Sequence, residues 1–149
     1  MTPLRLFVNA IVGGFLLFAW ANLAPAFFGD PPGAIGLEHE VQAGDPYSFG
    51  RTLVAYLADC TSALAAGWFL WLAAPRVRSM RWRVVFVASL GLFAGLVADL
   101  PLWNHGGFPG LWLLRQMAEI VIGFTLVGLF LSWRMKTYRF VPQKPAPTR

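Results

Sequence analysis

Four long apolar runs separated by polar stretches set the pattern of the chain. Leu6 to Gly29 carries no charged residue. Thr52 to Pro75 is interrupted only by Asp59, Val84 to Asn104 only by Asp99, and Gly106 to Trp133 by Arg115 and Glu119. Each run reaches the ~20 residues an α-helix needs to cross ~30 Å of hydrocarbon. The runs lack period-2 alternation and far exceed the ~10-residue strands of a membrane β-barrel. The pattern predicts an all-α polytopic membrane protein with four transmembrane helices in a bundle, at about residues 4–28, 51–74, 82–103 and 111–133. A single membrane domain then fills 1–149, with a basic tail at 134–149, and no separate soluble domain fits.

Composition agrees. The 149 residues are 57% hydrophobic and only 13% charged, against about 25% charged in soluble domains. The lone Cys60 cannot form an internal disulfide, and no CxxC pair is present for thiol redox chemistry.

Charge predicts orientation. Of 12 Lys and Arg residues, ten fall on one side of the four-helix plan: Arg5, then Arg76, Arg78, Arg81 and Arg83, then Arg134, Lys136, Arg139, Lys144 and Arg149. That side is cytoplasmic by the positive-inside rule, which places both termini inside. The opposite connection holds Asp30, Glu38, Glu40 and Asp45 with no base before Arg51. The plasma (inner) membrane of a bacterial cell is the expected location. The net charge of +5 is explained by topology and by attraction to anionic lipid, so no nucleic-acid partner is expected. Arg5, the apolar run and Ala24-Pro25-Ala26 imitate a signal peptide, but the run exceeds the usual 7–15 residues, and a retained first helix is expected.

Small and ionisable residues share helix faces. Residues four apart lie on one face, and such stripes are Gly14, Phe18, Asn22; then Ala55, Asp59, Ala63, Gly67; then Gly91, Gly95, Asp99; and Arg115, Glu119, Gly123. Membrane helices associate through small residues and polar contacts, so these faces should meet. An ionisable group in a membrane helix costs about 2.5–3.5 kcal/mol on insertion scales and is a functional-site candidate. Counting residues from the helix ends puts Asn22, Asp59, Asp99, Arg115, Gln116 and Glu119 in the outer half, over an inner half lined by glycine and alanine. The expected ligand- or proton-binding site is therefore an outer cavity in which Asp59, Asp99 and Glu119 share the Arg115 guanidinium. The structural explanation weighs slightly more: these groups satisfy one another, and Asp99 caps the end of its helix beside Pro101.

Metal chemistry has two candidate ligands, His39 in the long loop and His105 in the turn before the last helix, both of a type that suits zinc or copper. A solvated loop is the favoured reading of His39, and the metal site its rival. Trp103, Phe108 and Trp112 fit an interfacial aromatic belt. No cofactor is expected.

Several four-helix families are excluded on residues: cytochromes b need His pairs within helices, quinone-linked disulfide enzymes need CxxC, tetraspanins a Cys-rich outer loop, and small multidrug exporters a Glu in helix 1. The segments FAWANLAPAF and ADLPLWNHGGFPGLWLLRQMAEIVIGFTLVGLFLSW resemble a family of small four-helix bacterial inner-membrane proteins, with a Trp- and Pro-bearing end to helix 1 and an LPxW…GFP turn before the last helix. The resemblance implies no activity. The expected function is that of a binding or accessory component of the membrane, lipid-embedded, acting as a homo-oligomer or beside a larger membrane partner. The alternative is a proton-coupled transporter of a small solute in which Glu119 or Asp59 changes protonation; an enzyme is disfavoured.

Overall fold

The computed structural model describes residues 3–29, 49–106 and 110–136. They form four α-helices: α1 Pro3–Phe28, α2 Phe49–Ala73, α3 Met80–Gly106 and α4 Gly110–Lys136. Each is long and apolar enough to cross a membrane. The helices extend a few residues beyond the apolar runs, most clearly α3, which continues through Pro101 to Gly106. Proline removes one intrahelical bond without ending such a helix when neighbouring groups compensate. Asp99 is consequently no end cap, and His105 sits in the last turn of α3 and not in a loop.

Local chemistry closes the helices. Gly29 adopts φ 71 and donates its N–H to Pro25 O at 2.8 Å, the left-handed closure that glycine permits without a Cβ clash. Pro75 follows the end of α2. The turn after it is held by Arg76 and Val77 N–H donating to Ala73 O, each at 2.9 Å, and Ser79 O accepts the Arg83 N–H at 3.1 Å as α3 begins.

α1 and α4 form the middle of the bundle. α3 packs most extensively on α4 and α2 on α1, while α1 meets α4; α2 and α3 barely touch despite their short connection. Glycines mark the close approaches. A Cβ on Gly14 would lie 2.6 Å from Cys60 Cα, one on Gly13 3.0 Å from Ala63 Cβ, and one on Gly128 3.2 Å from Val84 Cα. Gly91 is packed against Phe124, and Gly95 against Ile120 and Met117. The buried core of Leu17, Ala63, Ala66, Leu70, Val87, Val127 and Leu131 draws on all four helices.

The outer faces carry the opposite signature. Phe7, Phe15, Val54, Phe69, Phe93 and Leu114 are each half or more exposed. Apolar area spread over every helix far exceeds the few hundred Å² of a soluble monomer's largest patch.

Candidate functional site

The register between helices decides which polar groups are level. Antiparallel contacts Gly91 to Phe124, Gly95 to Ile120 and Gly128 to Val87 fix α3 against α4. Continuing that register one turn past Gly95 brings Asp99 level with Arg115 and Gln116. On the other side of α4, Trp20 Nε1 donates to Glu119 O at 2.8 Å, and Gly123 packs on Leu17 and Trp20, so Glu119 lies beside the last third of α1. Four of the expected residues, Asp99, Arg115, Gln116 and Glu119, thus gather at the end of the bundle where α3 finishes and α4 begins.

Face matters as much as depth. Arg115, Glu119, Gly123 and Val127 share the stripe of α4 turned to α1, whereas Gln116, Ile120, Phe124 and Gly128 share the one turned to α3. Arg115 follows its own stripe: Nε donates to Glu119 Oε1 at 2.9 Å, with side chains 13% and 17% exposed. That is the i, i+4 geometry at which oppositely charged helix residues meet. Asp99 lies on the α3 stripe of Gly91 and Gly95, facing α4. Its Oδ2 is buried with no hydrogen-bond partner, as are Arg115 Nη1 and Trp103 Nε1.

The guanidinium is therefore not shared among three carboxylates. Among the described residues Arg115 pairs with Glu119 alone. Asp59 stands apart: Phe18 and Tyr56 meet edge to face with centroids 5.8 Å apart and Gly14 packs on Cys60, which sets Asp59 level with residues 14–18 of α1. That is roughly two and a half turns, about 14 Å at 5.4 Å per turn, from the level of Asp99 and Arg115. Asp59 is half-buried. Asn22 is exposed and donates Nδ2 to Phe18 O of its own helix at 2.7 Å, and Gln116 is half-buried.

Trp103 gains a role the sequence pattern did not assign. It continues the stripe Gly91, Gly95, Asp99 by one more turn, and its indole N–H points to no acceptor; the four-residue period was the available signal. Asn9 was also missed. It is buried, and its Oδ1 accepts from Arg134 Nε at 3.4 Å, joining α1 to α4 at the other end of the bundle. An amide near the start of an apolar run is the trace it leaves. Ser132, on α4, is fully buried, with Oγ unpartnered.

Asp99 leaves a buried acceptor, and Trp103 one turn further along α3 and Arg115 at the same level of α4 leave buried donors; a group that both donates and accepts hydrogen bonds would suit them. Leaving such groups unmet costs about 1–3 kcal/mol apiece, more when charged. As for metals, His105 is exposed, His39 lies outside the described residues, and among the described residues no three His, Cys, Asp or Glu side chains come together to hold an ion. No family model matches the chain, nor does any curated protein or solved structure.

Proposed function

We propose that the chain is an integral inner-membrane protein that spans the bilayer four times, with both termini cytoplasmic, and serves as a binding or accessory component through a polar site near the outer surface. Apolar side chains exposed on every helix support the insertion, and the arginines around the α2–α3 turn support the orientation. The observation that carries the binding reading is the incomplete polar group of Asp99 Oδ2, Trp103 Nε1 and Arg115 Nη1, buried and unpartnered beside the Arg115–Glu119 pair. A polar group of a ligand, a second copy of the chain or a larger membrane partner would complete it.

The alternative is a proton-coupled transporter. Its protonation change falls to Asp59, half-buried, in preference to Glu119, which Arg115 holds.

Asp99→Leu and Asp99→Asn separate the readings. An acceptor that awaits an outside group contributes nothing to the isolated bundle, so Asp99→Leu should melt no lower than wild type in detergent, yet lose the higher-mass complex that the wild type is expected to give when membranes are extracted into native nanodiscs. A marked drop in melting temperature would mean that Asp99 is already satisfied within the chain. For the transporter, Asp59→Asn should fold normally and abolish pH-dependent flux in proteoliposomes.

A further inference from the structure

At the opposite end of the bundle a cleft of about 520 Å³ opens beside the α2–α3 turn. Arg76 and Arg78 form its rim, and Trp82, Val85, Phe86 and Ser89 its wall. Three features give it a definite chemistry. The wall residues follow the i, i+3, i+4, i+7 spacing of one helix face, the face of α3 left uncovered because α2 and α3 barely touch. The rim is built: Arg83 Nε donates to Val77 O at 2.9 Å, tying the turn that carries both arginines to the first turn of α3. The rim charges are also uncommitted, since neither Arg76 nor Arg78 has a side-chain ion pair or hydrogen bond among the described residues.

Beyond the cleft the same side of α3 stays apolar and open. Trp82 is 67% exposed, Val85 50% and Phe93 68%, a track that leads from the arginines along the helix. A free anion would use the rim and leave the track bare. An acidic protein segment would need polar groups along the track, and of Trp82, Val85 and Phe93 only the Trp82 indole offers one.

We propose that this cleft is a binding site for one anionic phospholipid, its phosphate held between Arg76 and Arg78 and an acyl chain laid along Trp82, Val85 and Phe93. The site rests on the membrane-spanning reading. On that reading Trp82, in the first turn of α3, falls near the level where headgroup meets chain, the position tryptophan favours in a bilayer. The start of α3 at Met80 turns the positive end of its dipole to the same rim.

Native mass spectrometry of the purified full chain, stripped of lipid in detergent, reads the site directly. Two arginines at about fivefold each predict that phosphatidylglycerol binds ~25-fold tighter than phosphatidylcholine as a single lipid. Arg76→Gln with Arg78→Gln should abolish that preference, while removing the same charge from the tail by Lys144→Gln with Arg149→Gln should leave it intact. Equal binding of the two lipids would overturn the proposal, as would equal loss of preference in both double variants. Competition by inorganic phosphate at the lipid's own concentration would show an anion site without a lipid track, and so refute it too. Carbonate extraction of the same variants keeps the two claims distinct: a chain released from the membrane contradicts the spanning reading, whereas a retained chain with no lipid preference contradicts only the site.

Discussion

Gly14→Ala adds one methyl group where α1 and α2 touch, and the structure allows its effect to be worked through. The new Cβ would lie 2.6 Å from Cys60 Cα and 2.7 Å from Cys60 N. Carbon atoms settle at about 3.5–4.0 Å, so the helices must separate locally by ~1 Å, and the obstacle is backbone that no rotamer change can clear. Overpacking costs about 1–3 kcal/mol, and a backbone obstacle puts this site toward the upper end. Alanine returns up to ~1 kcal/mol as the better helix former, leaving a net loss of ~2 kcal/mol. Gly91→Ala meets Phe124 Cβ at 2.6 Å, an atom that no rotamer change moves, and should lose about as much; Gly95→Ala meets the ends of the Ile120 and Met117 side chains, which can shift, and should lose less. Gly50→Ala and Gly110→Ala meet nothing within 4 Å and should be neutral or slightly stabilising. Unfolding in mixed micelles, followed by tryptophan fluorescence, gives the order. If Gly14→Ala proves as stable as Gly50→Ala, the α1–α2 contact is not the one described.

The Arg115–Glu119 pair, buried to above four-fifths on both sides, predicts that Arg115→Leu loses about 3–5 kcal/mol because it strands a buried carboxylate, while Arg115→Leu with Glu119→Leu loses less; equal losses in thermal melts would show that the pair is solvated. Alkaline phosphatase fused after Arg149 should be inactive and a fluorescent cytoplasmic reporter there bright. Active phosphatase would reverse the orientation.

The four helices were legible because each apolar run meets the length a bilayer demands, and nothing in the chain competes with that demand. The α3 stripe was legible for a similar reason: Gly91, Gly95 and Asp99 repeat every four residues, and the two glycines sit against α4 side chains. Depth was harder. Counting from Arg51 and Leu111 put Asp59 and Glu119 level, but register is set by where glycine lets helices touch, and the Gly14–Cys60 approach moves Asp59 about two and a half turns from Asp99. The partner of Arg115 was decided by a stripe boundary. Position 115 falls on the α1 side of α4, where Glu119 is one turn away, and position 116 on the α3 side. A one-residue difference in face of this kind depends on how α4 rotates between two neighbours, which the four-residue spacing alone leaves open. Pro101 misled in the other direction, since it signals a helix end in water and is carried within α3 here.

The central claim is that the Asp99–Trp103–Arg115 region opens to the outer surface to receive a polar group. Single-cysteine chains in a Cys60→Ala background, carrying Gln116→Cys in the site or Ser89→Cys in the cleft at the far end, can be treated on intact cells with a membrane-impermeant maleimide. The account predicts that Gln116→Cys is labelled from outside and that Ser89→Cys is labelled only after the membrane is opened. Gln116→Cys that stays unlabelled on intact cells, or reacts only once the cytoplasmic side is exposed, would contradict it.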